Sequence, residues 1–563
     1  MSTILALHDP ETARHYYIQG LWRRDTLYSL LRDHAAERPG AYALRDGWRR
    51  LTWAETLRWV DAVADDLHAA GVRAGERVSL WLPSRVEALV VLLACSRNGY
   101  VCNPSLHRTH TTREALDLVE GIGAAALFFE EGYGGDRGAV DVRAAASALP
   151  SMKRVYGLPK LGGSAAAGDA PSPPAGAAAR PACAAVENPD KIVYLAFTSG
   201  TTGAPKGVMH SDNTLLANGR ALVDDWKHDS RTILLLLSPL SDHVGAVAVT
   251  QMLVAGLELV TNALPPRTTP LDWVVESGAT YVMGVPAHAI DLLADMSARG
   301  VRRPGNVRAV HLSGAPVPPS LAQALLDLGV TPQNAYGTTE TSSHQYTLPD
   351  DDRETITATC GRACRSCECR LFDPDDPDVE VAPGEVGEIG GRGASLMLGY
   401  FANQAMTERS FNRHGFFLSG DLGRVDARGC LQVVGRKEDV ITRGGHDIHP
   451  IRIEELAARN PALRQTAAFP VSGDGLGEKV CLAVVPADGA VPDARDVLAR
   501  LRSDGLSRDD MPEYFVVLDE LPRTASGKIL KRELVERVRS GRLRPEPVRW
   551  SDGPAVRKED VPC

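Results

Sequence analysis

The chain has 563 residues, of which 44% are hydrophobic and 24% charged, as is typical of a globular protein with one very large domain or several ordinary ones. Its 62 basic and 71 acidic side chains give a formal net charge of −9, which argues against a broad basic surface for nucleic acid. No apolar stretch reaches the ~18 residues of a membrane span, and the N-terminus lacks the pattern of a secretory signal. Ten cysteines without an export signal therefore predict reduced thiols and a cytoplasmic protein.

The first predicted elements alternate between helix and strand. Thr52 and Glu55 form a capping box that opens a helix, and Gly71 is placed to end it. An apolar strand at 78–82 and a second apolar helix at about 87–95 follow. Further along, short apolar runs typical of buried strands recur with helical patterns between them, at 192–197, 233–237, 281–285 and 307–312. This alternation predicts an α/β fold with largely parallel sheets.

Composition also divides the chain into regions. Residues 161–185 are mostly Ala, Gly, Pro and Ser, which predicts a flexible surface linker inside the large domain. We expect a large N-terminal domain over 1–435, with parallel-rich sheets and helices, and a small C-terminal α+β domain over 436–545. The polar tail over 546–563 is expected to be loosely held.

The strongest motif directly follows the predicted strand at 192–197. It reads TSGTTGAPKG, and its glycines and hydroxyls can turn N–H and O–H donors toward an anion while Lys206 adds a positive charge. Pro205 and Gly207 differ from the usual nucleotide loop, which has Gly before the lysine and Ser or Thr after it. The segment predicts a phosphate cradle, and a flexible turn is the alternative. The residues assigned to the cradle are Thr198, Ser199, Gly200, Thr201, Thr202, Gly203 and Lys206.

This motif and those that follow it resemble the adenylate-forming superfamily of acyl-CoA synthetases, aryl-AMP ligases, luciferases and peptide-synthetase adenylation domains. The resemblance runs from about Thr26 to Leu534 and is strongest toward acyl-CoA synthetases of the cyclohexanecarboxylate and medium-chain type. It implies a large N-terminal domain, a small mobile C-terminal domain, ATP and magnesium as cofactors, and coenzyme A as cosubstrate.

Three further motifs complete the implied nucleotide site. The sequence SGAP would form an adenine-binding turn, where small residues let a flat base approach the backbone. In YGTTE, Tyr336 would stack on adenine, Thr339 would bond the α-phosphate and Glu340 would hold magnesium, a hard cation that prefers oxygen ligands. In SGD, Asp421 suits the two ribose hydroxyls because a carboxylate accepts two hydrogen bonds. The implied ATP-binding residues here are Ser313, Gly314, Ala315, Pro316, Tyr336, Gly337, Thr338, Thr339, Asp421 and Arg436.

Two motifs belong to the implied C-terminal domain. GRKED supplies Arg436, which would contact the ribose or phosphates, and Glu438 at the family's hinge position. PRTASGK ends in Lys528, which would neutralise charge between the substrate carboxylate and the α-phosphate, because two anions must approach there. The resemblance thus makes Lys528, Lys206, Glu340 and Thr339 the catalytic residues.

The implied acyl pocket departs from the family pattern. In PLSDHVG, Asp242 stands where a histidine is usual and His243 follows it, and Asp447 stands where asparagine is common. A buried carboxylate is costly unless paired, so we expect a polar, aromatic or otherwise functionalised acid and not a plain long fatty acid. The alternative is that the pair points away and bonds neighbouring backbone. The pocket residues are Asp242, His243, Gly245, Gly284 and Gly337.

Four cysteines, Cys360, Cys364, Cys367 and Cys369, lie within ten residues of sequence. Their spacing fits no common zinc site well, and Cys367 and Cys369 would share one face of a strand. We therefore expect burial, with a metal site as the alternative.

Together these features predict ATP-dependent adenylation of a small carboxylic acid, followed by transfer to a thiol, with coenzyme A the leading acceptor. Transfer to a carrier protein or an amine is one alternative. Activation of a non-carboxylate acid, such as nitrite for arylamine diazotisation, is another. A catalytically inactive adenylate-binding module is a third, which the presence of Lys206, Glu340, Asp421 and Lys528 disfavours.

Overall fold

A computed structural model of the chain describes residues 9–136, 140–162, 182–198, 205–443, 446–472, 478–523 and 529–548. The contacts divide the chain into two units. The large unit comprises Met1–Glu385, Ile389–Ser419 and Val425–Gln432, and the small unit comprises Val386–Glu388, Gly420–Arg424 and Val433–Cys563. Because the small unit includes two short earlier segments, the domain boundary after residue 435 stays a proposal.

Two parallel-rich sheets dominate the large unit, which confirms the predicted α/β class. The nine-stranded sheet has the order Arg362–Ala363, Ser342–Tyr346, Thr331–Thr338, Ala309–Leu312, Tyr281–Gly284, Ile233–Leu236, Glu258–Val260, Tyr42–Arg45 and Arg50–Thr52. The six-stranded sheet has the order Arg154–Leu158, Ala124–Glu130, Arg77–Trp81, Val101–Asn103, Ile192–Thr198 and Lys206–Ser211. Antiparallel pairs occur only toward the sheet edges described here.

Helices connect these strands, as parallel crossovers require. Those of the large unit are Pro10–Ile18, Leu27–Glu37, Trp53–Ala69, Val86–Asn98, Thr112–Gly121, Val142–Ser147, Asp212–Trp226, His243–Ala255, Pro270–Ser277, Pro286–Ala298, Pro319–Asp327, Arg353–Ala358 and Gln404–Arg409. The helix predicted from the capping box is confirmed as Trp53–Ala69. The Thr52 hydroxyl accepts from the Glu55 N–H at 3.2 Å, and the Glu55 carboxylate accepts from the Thr52 N–H at 2.8 Å. Gly71, just beyond the helix, has φ +81.

The second predicted helix is Val86–Asn98, and all 13 of its residues are buried. Its near-continuous apolar sequence explains this, since a helix that is apolar on every side belongs in a core. Arg97 is the charged exception near its end, and the guanidinium pairs with the Asp61 carboxylate at 2.9 Å. This pairing offsets the cost of burying the charge.

The small unit has its own sheet and helices. The sheet order is Leu463–Ser472, Glu478–Pro486, Tyr514–Val517 and Glu546–Pro547, and a separate hairpin joins Ile441–Arg443 to His446–Ile448. The helices are Pro450–Ala457, Ala494–Ser503 and Lys531–Arg539, with 3₁₀ turns at Lys437–Asp439 and Arg508–Asp510. A further four-stranded sheet, which is not confined to the small unit, has the order Cys367–Phe372, Gly387–Gly393, Phe417–Val425 and Leu431–Arg436.

The start of the tail differs from the expectation of a loosely held segment. Glu546 and Pro547 pair with Phe515 and Tyr514, and the N–H of Val548 donates to the Glu513 carbonyl at 2.8 Å. These backbone bonds extend the sheet of the small unit by one short strand. Most of the predicted linker, at 163–181, lies outside the described residues. Within the described ranges, no helix has the length and apolarity needed to cross a membrane.

Candidate functional site

The predicted phosphate cradle begins at the end of a buried strand. Ile192–Thr198 runs parallel to its neighbour Val101–Asn103, so Thr198 lies at the carboxyl edge of the six-stranded sheet. Open α/β sheets bind ligands at this edge. Thr198 is paired with Lys206 across an antiparallel hairpin. The cradle residues between them, Ser199, Gly200, Thr201, Thr202 and Gly203, lie outside the described residues.

Four neighbouring parallel strands of the nine-stranded sheet also lead to predicted residues. They are Thr331–Thr338, Ala309–Leu312, Tyr281–Gly284 and Ile233–Leu236. Gly337 and Thr338 close the first strand, Ser313 follows the second and Gly284 ends the third. Asp242 lies in the loop after the fourth. The topology therefore gathers the predicted adenine turn and acyl-pocket residues at one sheet edge.

The predicted adenine turn presents small residues to solvent. The Ser313 N–H donates to the Gly284 carbonyl at 3.2 Å, and the Ser313 hydroxyl lies 3.1 Å from Nε2 of buried His311. Gly314 has φ +82, which glycine adopts without strain. Gly314, Ala315 and Pro316 are exposed. A flat ring could reach this backbone without meeting a large side chain.

The YGTTE segment forms a tight hairpin. Tyr336 is buried, and its hydroxyl donates to the Ser419 hydroxyl oxygen at 3.0 Å. At Gly337 a Cβ would lie 1.8 Å from the Ser342 carbonyl oxygen, so the hairpin excludes any other residue there. The Thr338 hydroxyl accepts from the Glu340 N–H at 3.2 Å and thereby shapes the turn that carries the predicted metal ligand.

Glu340 and Lys206 both contact the side chain of Tyr400. The Tyr400 hydroxyl donates to Oε1 of Glu340 at 2.8 Å, and Nζ of Lys206 lies 5.4 Å from the centroid of the Tyr400 ring. Burial and the Glu340 carboxylate raise the pKa of Tyr400 above its ordinary value, so the phenol keeps its proton. The ring face attracts the ammonium group. The predicted phosphate-binding lysine and the candidate magnesium ligand therefore both contact Tyr400.

Backbone bonds hold the three segments of this array together. Tyr400 forms an antiparallel bridge with Val208, the Phe401 N–H donates to the Gly207 carbonyl at 2.7 Å, and the Met397 N–H donates to the Glu340 carbonyl at 2.7 Å. The sequence analysis missed Tyr400. It lies far from both motifs in the chain, and only the folded sheet edge brings it between them.

A second missed residue, His210, supports the same turn. Its Nε2 donates to the Thr339 carbonyl at 2.7 Å, which leaves Nδ1 to accept from the Thr214 hydroxyl at 3.1 Å. Complete burial lowers the pKa of His210 to about 4, so the imidazole is neutral near pH 7. His210 thus links the phosphate-motif strand to Thr339, a predicted catalytic residue. Its position four residues after Lys206 was the only sequence signal for this role.

His243 is directed toward the same turn. Its Nε2 lies 2.9 Å from the Ser342 hydroxyl, and its ring stacks on His210 with centroids 5.1 Å apart. Burial lowers its pKa well below the ordinary value, so it too is neutral. Its Nδ1 is buried without a hydrogen-bond partner among the described residues. One ring nitrogen of His243 therefore contacts the side chain of Ser342, whereas the alternative drawn from the sequence was a bond to neighbouring backbone.

Asp242 faces a third histidine. It precedes the helix His243–Ala255 without capping it, and its carboxylate lies 3.8 Å from Nδ1 of His107. That nitrogen is also 2.9 Å from the Ser241 hydroxyl. Burial lowers the pKa of His107 to about 4, so the contact joins a neutral imidazole to a carboxylate that remains 14% exposed. The sequence analysis did not identify His107.

The remaining two pocket glycines satisfy local packing. At Gly245 a Cβ would lie 2.9 Å from the Leu240 carbonyl oxygen, and at Gly284 it would lie 2.8 Å from Nδ1 of His288. Both approaches are closer than real Cβ atoms tolerate. These contacts explain the glycines without a ligand, so their place in an acyl pocket stays a proposal.

The small unit brings three predicted residues into one chain of ion pairs. The Arg436 guanidinium binds Asp421 at 2.9 Å and Glu438 at 2.7 Å. One carboxylate oxygen of Asp421 already accepts from Arg436. To bind both ribose hydroxyls, Asp421 would have to share that oxygen with Arg436 or give up the ion pair. Glu438 lies in the 3₁₀ turn Lys437–Asp439, and its hinge role stays a proposal.

Lys528 lies outside the described residues, as do residues 444 and 445. The described residues on either side of 524–528, Arg523 and Ile529, form an antiparallel bridge. In the hairpin that joins Ile441–Arg443 to His446–Ile448, the Thr442 hydroxyl donates a hydrogen bond to Asp447 at 2.9 Å.

The donor set at Glu340 fits magnesium bound together with a nucleotide. Among the described residues, no group of three or more His, Cys, Asp or Glu side chains is placed to hold a metal ion. Magnesium is usually bound by one or two carboxylates plus substrate phosphates, so one carboxylate beside a phosphate cradle suffices. Glu340 would hold the ion there, and the ion would offset phosphate charge.

Comparison with known proteins identifies the family of the chain. The AMP-binding enzyme model matches residues 31–401, and the AMP-binding enzyme C-terminal domain model matches residues 452–528. A feruloyl-CoA synthase from Amycolatopsis sp. is 33% identical over 513 residues, which cover 89% of this chain and 96% of that protein. The medium-chain fatty-acid–CoA ligase of Escherichia coli strain K12 is 28% identical over 524 residues, covering 92% and 91%.

A solved structure shows the same fold. The crystal structure of ATP-bound MatB from Rhodopseudomonas palustris aligns with a TM-score of 0.79 and 28% identity, covering 91% of this chain and 98% of that one. The chain therefore belongs to the AMP-binding enzyme family, and it is an ATP-dependent, AMP-forming acid–thiol ligase.

Proposed function

We propose that this enzyme adenylates a polar or aromatic carboxylic acid and transfers the acyl group to coenzyme A. The observation that carries the proposal is the Lys206–Tyr400–Glu340 array beside the end of the Thr198 strand. In the proposed site, Lys206 would contact the phosphates of ATP and Glu340 would hold magnesium beside them. Both relatives named above are acid–CoA ligases, which supports coenzyme A as the acceptor.

The reaction has two displacement steps. A carboxylate oxygen of the substrate bonds to the α-phosphorus of ATP, and the bond to pyrophosphate breaks. The thiol sulfur of coenzyme A then bonds to the acyl carbon, and AMP leaves with the electron pair of its bond to that carbon. Lys206 and Lys528 would offset the negative charge that gathers during the first step, while Thr339 would orient the α-phosphate.

Supporting residues keep this arrangement rigid. Tyr400 limits the positions open to Glu340, and His210 holds the Thr339 carbonyl. Because both supports are buried, they need no rearrangement when the charge develops. Preorganised groups of this kind lower a barrier more effectively than groups that must move.

The Asp242–His107 contact supports a functionalised substrate. A carboxylate that faces a neutral imidazole can accept a hydrogen bond from a hydroxyl or amino group, and His243 offers a free Nδ1 nearby in sequence. Feruloyl-CoA synthase is named for an acid of the aromatic, functionalised class.

Replacing Asp242 with alanine should cost a hydroxy- or amino-substituted acid ~10-fold or more in kcat/KM, because a polar substituent loses its partner. An unsubstituted analogue should lose little. Pyrophosphate release across a panel of acids measures the effect. Asp350→Ala, at an exposed aspartate, is the matched control. A preference for saturated medium or long chains that Asp242→Ala leaves unaltered would show that Asp242 does not read the substrate.

Product analysis tests the reaction itself. We expect AMP and pyrophosphate from ATP, together with an acyl thioester of coenzyme A identified by mass spectrometry. Parallel reactions contain a phosphopantetheinyl carrier protein, an amine, or nitrite with an arylamine. ADP and phosphate as stoichiometric products would refute adenylation. Product formed only with the carrier protein or the amine would show that coenzyme A is not the acceptor. Product formed only with nitrite and the arylamine would show that the activated acid is not a carboxylic acid.

The proposed setting is the cytoplasm. All nine cysteines of the described ranges are free thiols, as reducing compartments maintain them.

A further inference from the structure

Cys364 and Cys367 lie at the two ends of a tight turn in the large unit. The Cys367 N–H donates to the Cys364 carbonyl at 2.9 Å, which closes a four-residue turn through Arg365 and Ser366. Such a turn brings its first and last Cα atoms within ~7 Å, close to the range that a disulfide spans. The Ser366 hydroxyl lies 3.3 Å from Sγ of Cys364 and 3.8 Å from Sγ of Cys367. The turn therefore holds the two thiols together.

The two thiols are chemically unequal. The neighbouring Cys364 thiol lowers the pKa of Cys367 to about 7, whereas Cys367 and burial raise the pKa of Cys364. Cys364 is 4% exposed and Cys367 is half-buried. A partly accessible thiolate beside a resolving thiol is the arrangement that oxidants select.

One residue of the turn, Arg365, is exposed to solvent. Arg365, which follows Cys364, lines a cavity of about 250 Å³ together with Gln19 and Leu21. A peroxide molecule is far smaller than this space. Cys369, two residues beyond Cys367, is a competing partner, but burial raises its pKa to about 11.

A hydrogen-bond relay joins this turn to the proposed catalytic carboxylate. Sγ of Cys367 lies 3.1 Å from the Ser395 hydroxyl, which donates to the Thr341 carbonyl at 2.9 Å. Thr341 directly follows Glu340. A change at the Cys367 sulfur would therefore alter the hydrogen bonds of the turn that carries Glu340.

We propose that Cys364 and Cys367 form a reversible dithiol that peroxides oxidise to a disulfide, and that this modification slows adenylation. The Cys367 thiolate attacks one peroxide oxygen, the O–O bond breaks, and hydroxide leaves with a sulfenic acid remaining. The Cys364 sulfur then attacks the Cys367 sulfur, the S–O bond breaks and water leaves as the S–S bond forms. In total, two thiols and one hydrogen peroxide give one disulfide and two waters, and a dithiol reductant reverses the oxidation.

The consequence for activity follows from the relay. In the disulfide, the Cys367 sulfur carries neither a proton to donate to Ser395 nor the negative charge of a thiolate, so its contact with the Ser395 hydroxyl at 3.1 Å weakens. Loss of one such support should reduce the adenylation rate about fivefold, the scale of one hydrogen bond. This part rests on the proposed function, because it places Glu340 in the active site. The disulfide itself does not.

Mass spectrometry of the wild-type protein tests the modification. After hydrogen peroxide and alkylation of free thiols, trypsin cuts after Arg365 and leaves the two cysteines on separate peptides, 363–365 and 366–370. We expect these peptides to be linked, two hydrogens lighter than the reduced pair. An internal Cys367–Cys369 bond within 366–370, or no bond under conditions that oxidise a free thiol, would overturn the proposal.

Variants and activity complete the test. Cys364→Ser should give a sulfenic acid at Cys367 that dimedone traps, with no linked peptides, whereas Cys369→Ser should still link them. Peroxide should slow pyrophosphate release by the wild type about fivefold and dithiothreitol should restore it. If peroxide slowed pyrophosphate release equally in Cys364→Ser, or if dithiothreitol did not restore the rate, the proposed effect on activity would be wrong. The linked peptides test the disulfide separately.

Discussion

Lys528→Ala is expected to reduce acyl-AMP formation by ~10² or more, the scale of one preorganised contact to developing charge. The substrate carboxylate and the α-phosphate are both anionic, so their approach needs a cation between them. Thiolysis of supplied acyl-AMP should be largely spared, because that step brings no second anion to the phosphorus. Pyrophosphate release measures the first half-reaction, and thioester formation from synthetic acyl-AMP measures the second.

Two further variants separate this role from a general effect of charge. Lys528→Arg keeps the charge but changes its geometry, and it should recover only part of the rate. Lys558→Ala makes the same substitution in the tail, outside every motif, and should behave as the wild type. Equal losses in both half-reactions for Lys528→Ala would contradict a role confined to adenylation.

Local features of the sequence predicted much of the fold. The Thr52–Glu55 capping box marked a helix to the residue, and the apolar run at 281–285 marked the strand Tyr281–Gly284. Both signals depend only on neighbours in the chain: side-chain caps in one case, continuous burial in the other. The strand Glu546–Pro547 carries no such signal. It forms because Tyr514 and Phe515 offer unpaired backbone groups at a sheet edge.

The candidate site shows the same division. Lys206 and Glu340 were predictable from short motifs, since each motif concentrates residue types that suit phosphate or magnesium. Tyr400 and His107 were not, because they meet their partners only after distant strands assemble. His243 was predicted to read the substrate, but one of its nitrogens bonds Ser342 from a separate strand. Motifs therefore predicted the candidate phosphate- and magnesium-binding residues, whereas only the tertiary structure shows which side chains contact them.

Glu340→Gln is expected to lower pyrophosphate release by ~10², because an uncharged amide oxygen binds magnesium far more weakly than a carboxylate. The substitution is nearly isosteric, and the Tyr400 hydroxyl can still donate to the amide oxygen, so the fold should persist. Tyr400→Phe keeps the carboxylate but removes the hydrogen bond at 2.8 Å that orients it. Loss of a residue that orients a metal ligand typically lowers activity ~10-fold or somewhat more. The rate should therefore fall less in Tyr400→Phe than in Glu340→Gln.

Magnesium dependence distinguishes the two variants from a merely destabilised protein. The magnesium concentration for half-maximal rate should rise in both, and more in Glu340→Gln. Thermal stabilisation by ATP with magnesium, over ATP alone, should shrink in the same order, because a ligand stabilises the fold according to its affinity. Glu131→Gln, at an exposed glutamate of the same unit, is the control and should match the wild type. Wild-type magnesium dependence in Glu340→Gln would show that another group binds the ion, and the Lys206–Tyr400–Glu340 array would then lose its proposed role.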